Sequence, residues 1–175
     1  RSRAIYKLQE INDKFKILKN GIRVVDLGAA PGSWSQFVSR KFKNSKIVSI
    51  DLKEFEAIEN TYQIKGDFTD ELNQKKIIDY FGNKIDLVLS DMAVNTTGNK
   101  NVDSLVTGEL SIEALNFAAN TIKKEGIFVS KIFMGSSFNE IVKIAKKKFK
   151  EVNIFKPPAS RKDSKESFII CKYLR

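Results

Sequence analysis

The stretch Val24-Val25-Asp26-Leu27-Gly28-Ala29-Ala30-Pro31-Gly32-Ser33-Trp34 runs from an apolar strand through a turn of small residues into a helix. Small side chains in this turn let a ligand approach the backbone closely where the first strand ends. Asp51 closes the second predicted strand, where a carboxylate can accept hydrogen bonds from ribose hydroxyls. A GxGxxG dinucleotide fingerprint needs glycine at position 30, so Ala30 disfavours a nicotinamide cofactor.

Short apolar runs alternate with helical segments on both sides of this stretch. The predicted strands cover residues 22–25, 47–50, 85–89 and 127–132, with a short third strand that ends at Asp67. The predicted helices cover residues 33–42, 70–81, 109–122 and 138–149, and apolar residues at three- and four-residue steps predict a further helix within residues 1–20. Continuous apolar strands are typical of a parallel sheet with helices on both faces. The closely joined segments 152–155 and 168–173 predict an antiparallel pair at one edge.

The fold class is therefore α/β, with a mostly parallel seven-stranded sheet in a single domain over residues 1–175. The composition narrows the function further. No His and a single Cys exclude an imidazole base, a His-ligated metal, a disulfide framework and a cysteine zinc cluster. No apolar run is long enough to span a membrane. A formal net charge of +10 favours a polyanionic partner, although a Lys-rich composition explains it equally well.

Acidic residues close the first four predicted strands: Asp26, Asp51, Asp67 and Asp91. The carboxyl ends of parallel strands meet at one edge, and open α/β sheets bind their ligands at that edge. Any one of these residues could simply form a turn, but four together favour a binding site. At such a site Asp67 could hydrogen-bond an adenine amino group.

Lys131 lies inside the apolar fifth strand, which is costly for a charged residue unless it is paired or functional. Asp91, at the end of a neighbouring strand, would be its partner. A purely structural ion pair is the alternative interpretation. A basic loop over residues 157–166 precedes the last strand; as a charge run alone, it would more often be a solvated hairpin.

These features together resemble the FtsJ-type ribosomal RNA 2′-O-ribose methyltransferases. The similar motifs are Ser2-Arg3-Ala4, Lys7-Leu8, the block from Asp26 to Gln36, Ser90-Asp91-Met92-Ala93, Lys131 and Glu166-Ser167. The resemblance implies a Rossmann-like fold, S-adenosylmethionine as methyl donor with S-adenosylhomocysteine as product, no metal, and a catalytic tetrad of Lys7, Asp91, Lys131 and Glu166. The expected cofactor contacts are Gly28, Ala30, Pro31, Gly32, Ser33, Trp34, Asp51, Leu52, Asp67, Phe68 and Asp91.

The residue types agree with methylation of a ribose oxygen. In-line methyl transfer depends on alignment of the donor and the nucleophile, and the weakly acidic 2′-OH must lose its proton. Because the chain has no His, Lys131 would act either as the base or as the group that holds the hydroxyl in line. Lys7 would favour a neutral Lys131 by charge repulsion, whereas the two carboxylates would oppose it. Methylation of a base at carbon 5 needs a nucleophilic cysteine at the site, and the single cysteine, Cys171, lies in the last strand.

The expected substrate is ribosomal RNA, at a large-subunit uridine, bound within a ribosomal particle. Basic residues near the two terminal tetrad positions would contact phosphates: Arg1, Arg3, Arg161 and Lys162. We expect a monomer without membrane contact, in the cytoplasm or an organelle. Methylation of transfer RNA or of an mRNA cap is the nearest alternative. A non-catalytic RNA-binding protein on the same fold is the alternative from another class.

Overall fold

The computed structural model describes residues 3–82, 84–92, 98–135 and 137–175. Arg1, Ser2, Ala93 and Val94 lie outside the described residues. In chain order the elements are α1 (Arg3–Phe15), β1 (Arg23–Leu27), α2 (Ser33–Lys41), β2 (Lys46–Asp51), β3 (Thr61–Lys65), α3 (Glu71–Phe81), β4 (Ile85–Ser90), α4 (Lys100–Thr121), β5 (Ile122–Phe133), α5 (Phe138–Lys148), β6 (Phe149–Phe155) and β7 (Glu166–Leu174).

The strands form a seven-stranded sheet in the order β3-β2-β1-β4-β5-β7-β6. All neighbouring pairs from β3 to β5 are parallel, whereas β7 runs antiparallel to both β5 and β6. The mostly parallel sheet with an antiparallel pair at one edge is thereby confirmed. Within that pair β7 is the reversed strand, and β6 is the outermost one.

Apolar side chains form one core cluster on each face of the sheet. On one face, Leu8 and Ile11 of α1 pack with Trp34 and Val38 of α2. On the other face, buried residues of α3, α4 and α5 pack against the sheet. Helices therefore cover both faces, as the continuous apolar strands predict. No helix in the described part of the chain is long and apolar enough to cross a membrane.

Several predicted boundaries are wrong, including the start of β6, which lies at Phe149. The largest differences are at α4 and β5. Helix α4 begins at Lys100, well before residue 109, and it contains Gly108. A Cβ atom at Gly108 would lie 2.3 Å from the Cβ and Oγ atoms of Ser137, so the glycine permits close contact with the chain at α5. Strand β5 begins at Ile122, a position that the sequence assigns to the helix.

The strand register brings the charged residues of three strands to one edge. Ser90 of β4 pairs with Ser130 of β5, so the residues that follow them, Asp91 and Lys131, are neighbours. Strand β7 enters this edge from the opposite direction at Glu166. The sheet itself therefore places three of the four predicted tetrad positions together.

Candidate active site

A cavity of about 420 Å³ opens at the carboxyl ends of β1, β2, β3 and β4. We call it the strand-end cavity. Its lining includes several residues that the sequence predicts as cofactor contacts: Gly28, Ala30, Asp51, Leu52, Asp67, Phe68 and Asp91. Other lining residues were not predicted from the sequence, among them Lys53, Gly66, Met92 and Leu110. Lys53 and Met92 directly follow predicted site residues, which is the signal that could have found them.

Gly28 shapes the wall of this cavity. Its φ of 69° lies in the left-handed region, which favours glycine. A Cβ atom at this position would lie 2.2 Å from the Cγ atom of Met92. The turn after β1 therefore has no room for a side chain, and its backbone is left open to a ligand.

Two carboxylates of the cavity are fixed by backbone hydrogen bonds. Asp51 accepts from the N–H of Ala30 at 2.9 Å through Oδ2 and from the N–H of Lys53 at 2.9 Å through Oδ1. Asp67 accepts from the N–H and hydroxyl of Thr69, at 2.9 and 2.7 Å, through Oδ1. Both groups are thus oriented before any ligand binds.

Asp26 lies beneath the cavity and does not line it. Only 2% of the residue is exposed, and its Oδ2 accepts a hydrogen bond of 2.7 Å from the Ser35 hydroxyl. That hydroxyl also lies 2.6 Å from the Ser49 hydroxyl, which links α2 to β2. Burial raises the pKa of Asp26 to about 7, and the charges of Asp91 and Asp51 add to the shift. Of the four strand-end carboxylates, Asp51, Asp67 and Asp91 therefore line the cavity, and Asp26 is buried in the protein.

The predicted contacts from the second half of the glycine turn lie elsewhere in the described structure. Pro31 is exposed, and Gly32 and Ser33 form the start of α2. The buried Trp34 donates a 2.6 Å hydrogen bond from Nε1 to the carbonyl of Ala4 in α1. None of these residues lines the strand-end cavity, and the structure instead gives Trp34 a role in anchoring α1.

The four predicted tetrad residues form one buried charged cluster. Lys131 Nζ lies 3.0 Å from Asp91 Oδ1 and 3.7 Å from Glu166 Oε1. Lys7 Nζ lies 2.6 Å from Glu166 Oε2. Their side chains are between 11 and 22% exposed. Lys131 lies opposite Phe168 in the sheet, so both side chains are on the same face. Helix α1 covers that face, which brings Lys7 of α1 close to Lys131 and Glu166.

Asp91 belongs to both the cavity and the charged cluster. It lines the cavity, and its Oδ1 atom is buried in an ion pair with Lys131 while no group in the described ranges donates it a hydrogen bond. Burial raises the pKa of Asp91 above its ordinary value, and the ammonium of Lys131 opposes that shift. Because Asp91 lines the cavity and its side chain is 22% exposed, a proton donor of a ligand could reach this carboxylate there.

The predicted RNA contacts differ in how free their side chains are. Arg161 and Lys162 are exposed on the loop before β7. Arg3 donates a 2.9 Å hydrogen bond from Nη1 to the carbonyl of Ala159 in that loop. Glu10 was not among the predicted site residues, yet its Oε1 atom accepts a 2.8 Å hydrogen bond from the N–H of Ala159. The seven-residue spacing from Arg3 to Glu10 was its signal, because such positions share a helix face.

Within the described ranges, no group of three or more Asp, Glu, His or Cys side chains is arranged to hold a metal ion.

The sheet order and the cavity at its carboxyl edge are those of a Rossmann-like methyltransferase, and known structures share this fold. Within that class, a family model described as FtsJ-like methyltransferase matches residues 1–174. The chain therefore belongs to the FtsJ-like methyltransferase family, which confirms the resemblance in its motifs.

Individual relatives agree with this membership. Ribosomal RNA large subunit methyltransferase E of Pelagibacter ubique is 65% identical over 175 residues, which is 100% of this chain and 86% of that protein. The protein of the same name from Zymomonas mobilis is 45% identical over 100% of this chain and 79% of its own length. A Plasmodium falciparum crystal structure described as a ribosomal RNA methyltransferase has a TM-score of 0.84 and 32% identity, covering 99% of this chain and 98% of that one.

Proposed function

We propose that this enzyme transfers the methyl group of S-adenosylmethionine to a ribose 2′-OH of ribosomal RNA, at a uridine of the large subunit. The observation that carries the proposal is the ion pair of Lys131 and Asp91 at the edge of the strand-end cavity. This ion pair places the Lys131 amine, a group that can exchange a proton, beside a cavity for a nucleoside ligand. The relatives named ribosomal RNA large subunit methyltransferase E support the choice of substrate.

The residues of the strand-end cavity fit the proposed cofactor. Its volume of about 420 Å³ suits a ligand of nucleoside size. Asp51 would accept hydrogen bonds from the ribose hydroxyls, and Asp67 would accept one from the adenine amino group. Gly28 leaves the backbone open where a side chain would collide with Met92. When bound, S-adenosylmethionine supplies an electrophilic methyl group on a sulfonium.

The charged cluster would prepare the acceptor hydroxyl. Lys131 would hold the 2′-oxygen in line with the methyl group. As a neutral amine it would also receive the hydroxyl proton, whereas as an ammonium it would only position the oxygen and the proton would leave to solvent. Asp91 would orient Lys131, since the two groups lie 3.0 Å apart. Glu166 contacts both lysines, so it would hold Lys7 near Lys131 and balance their charges. Lys7 would also be able to hold a neighbouring phosphate.

The RNA would be bound mainly through its phosphates and its own folded shape. Arg161 and Lys162 are exposed on the loop that leads into Glu166, and would bind phosphates near the target ribose. Such contacts carry little sequence information. We therefore propose that a single domain, acting as a monomer on a ribosomal particle within the cell, obtains its specificity from the structure of the substrate.

The test is transfer of labelled methyl groups to purified large-subunit RNA, small-subunit RNA and transfer RNA, each free and, for the ribosomal RNAs, within particles. We expect label in large-subunit RNA, with faster transfer to the particle. Label in transfer RNA alone would support the nearest alternative substrate and contradict the proposal. Equal rates on short naked transcripts would contradict the role of the particle. Binding of RNA without any transfer would indicate a non-catalytic protein.

A further inference from the structure

One residue of the 156–165 loop, Ala159, is held by helix α1 through both its N–H and its carbonyl. Arg3 donates to the carbonyl of Ala159 at 2.9 Å, and Glu10 accepts from the N–H of the same residue at 2.8 Å. We call this arrangement the Ala159 clamp. Charged partners make such hydrogen bonds stronger than neutral ones. Lys7 lies between the two clamp residues in the sequence of α1, and Glu166 directly follows the loop.

The loop has internal hydrogen bonds that transmit this restraint. Lys156 donates from Nζ to the carbonyls of Ser164 and Glu166, at 2.7 and 2.9 Å. The N–H of Glu166 donates to the hydroxyl of Ser164 at 3.0 Å. Ser160, the residue after Ala159, donates both its N–H and its hydroxyl to the carbonyl of Pro157. A restraint on Ala159 therefore acts on the segment that enters β7 at Glu166.

The clamp matters because Lys7 and Glu166 come from distant parts of the chain. Their direct contact is a single ion pair of 2.6 Å between two flexible side chains. The clamp adds two hydrogen bonds from α1 to the loop that leads into β7. Near the other end of α1, the ammonium of Lys172 in β7 donates to the carbonyl of Phe15. With the clamp, the backbones that carry Lys7 and Glu166 are fixed relative to each other, and a small displacement of catalytic groups lowers reaction rates strongly.

We infer that Glu10 and Arg3 are positioning residues for methyl transfer, which act through the backbone of Ala159 to hold Lys7 against Glu166. This inference rests on the proposed function. It assigns Arg3 to the clamp, whereas the sequence analysis predicts an RNA contact.

The clamp is separable from the folding of α1. Leu8 and Ile11 are completely buried against α2 and the sheet, and Trp34 holds the carbonyl of Ala4. Neither Glu10 nor Arg3 is buried, so their removal leaves that apolar contact in place. Variants of the clamp are therefore expected to fold.

The test compares Glu10→Ala with Glu10→Gln in the full chain. Gln keeps a side-chain oxygen that can accept from Ala159, whereas Ala does not. We expect Glu10→Ala to lower the single-turnover rate at saturating cofactor and RNA by about ten- to a hundredfold. Glu10→Gln should recover most of the rate. The dissociation constant for S-adenosylmethionine should be unchanged, and the Ala159 amide should exchange with deuterium faster in Glu10→Ala. Asp13→Ala, an exposed acidic position on the same helix, is the matched control.

The Arg3 arm separates the clamp from an RNA contact. The clamp predicts that Arg3→Ala lowers the rate at saturating RNA and leaves the salt dependence of RNA affinity unchanged. A phosphate contact predicts weaker RNA binding and a salt slope lower by about one, which would overturn the assignment of Arg3.

The outcomes separate this inference from the proposed function. If the unaltered enzyme transfers methyl groups and Glu10→Ala does so at the same rate, the clamp is wrong and the proposed function stands. Equal losses in Glu10→Ala and Glu10→Gln, or a parallel loss of cofactor affinity, would also overturn it. If the unaltered enzyme transfers no methyl group, the proposed function fails and the inference fails with it.

Discussion

The carboxyl edge of the sheet has two halves that are built in different ways. In the cavity half, formed by the ends of β1, β2 and β3, backbone N–H groups orient Asp51 and Asp67. In the charged half, formed by β4, β5, β7 and α1, side chains orient one another: Lys131 contacts Asp91 and Glu166, and Glu166 contacts Lys7. Asp91 belongs to both halves, because it also lines the cavity.

This difference shows how one sheet edge can serve both cofactor binding and proton transfer. Carboxylates fixed by local turns suit a cofactor that must bind in one orientation. A cluster of mutually paired charges suits proton transfer, because a change in one group alters the protonation of the others. We therefore expect substitutions in the cavity half to change binding and substitutions in the charged half to change rate.

The largest effect is expected in the charged half. Lys131→Ala removes the group that would hold the hydroxyl and handle its proton, and should lower the single-turnover rate by about a thousandfold. The dissociation constant for S-adenosylmethionine should not change. Rapid-quench measurement of labelled methyl transfer and calorimetric titration of the cofactor test the two parts.

Lys124→Ala is the matched control, since Lys124 lies exposed on the same strand. An undiminished rate in Lys131→Ala, with cofactor and RNA bound normally, would show that Lys131 has no part in the reaction.

A second effect is expected beneath the two halves, at Asp26. The folded carboxyl keeps its proton up to about pH 7, whereas the unfolded one, with its ordinary pKa of 3.8, releases it earlier. The folded state therefore binds more protons between these values, so its stability falls as pH rises through this range. Asp26→Asn removes this fall. From pH 5 to pH 8 the stability of Asp26→Asn relative to the unaltered enzyme should rise by on the order of 3 kcal/mol.

Urea unfolding at several pH values measures this difference, and Asp163→Asn on the exposed loop is its control. A difference between Asp26→Asn and the unaltered enzyme that is independent of pH would mean that Asp26 is already ionised at pH 5.

A third effect is expected in the cavity half. Asp51→Ala removes the carboxylate proposed to accept from the cofactor's ribose hydroxyls, and should weaken cofactor binding by about a hundredfold. The rate at saturating cofactor should change much less. Titration of S-adenosylmethionine measures the affinity, and Glu54→Ala is the control because Glu54 is exposed nearby. A normal affinity with a reduced rate would reverse the division between the halves.

The smallest effect is expected outside both halves. The double variant Arg161→Ala and Lys162→Ala should weaken RNA binding several-fold at low salt and lower the salt slope by roughly two. Its rate at saturating RNA should be normal. The control is the double variant Lys146→Ala and Lys147→Ala, since both residues are exposed in the last turn of α5. If only the α5 variant weakens binding, the RNA lies elsewhere.

Within the charged half, the pair of Lys131 and Asp91 was predictable because strand register dictates it. An apolar strand with Lys131 inside it and a neighbouring strand that ends at Asp91 leave one arrangement in a parallel sheet, and the register confirms it. Lys7 and Glu166 could not be found in this way. They come from a helix and an antiparallel strand, so family resemblance supplied them.

Contacts that depend on side-chain direction were not predictable from spacing. Trp34 follows the glycine turn in sequence, yet its indole points to Ala4 in α1. Asp26 lies on the same face of β1 as Val24, which packs with α2, so its side chain is directed toward Ser35. The glycine inside α4 was also unpredictable from spacing, because its explanation is a contact distant in sequence: a Cβ atom at Gly108 would collide with Ser137.

The position of the transferred methyl group on the RNA tests the proposed ribose methylation most directly. Methylation of a ribose 2′-oxygen protects the adjacent phosphodiester from alkali, because cleavage uses that oxygen as its nucleophile. We predict that label from S-adenosylmethionine appears in alkali-resistant dinucleotides of large-subunit RNA with the unaltered enzyme and is lost with Lys131→Ala. Label that alkali releases in mononucleotides would be carried on a base. That result would contradict the assignment of this site to ribose methylation.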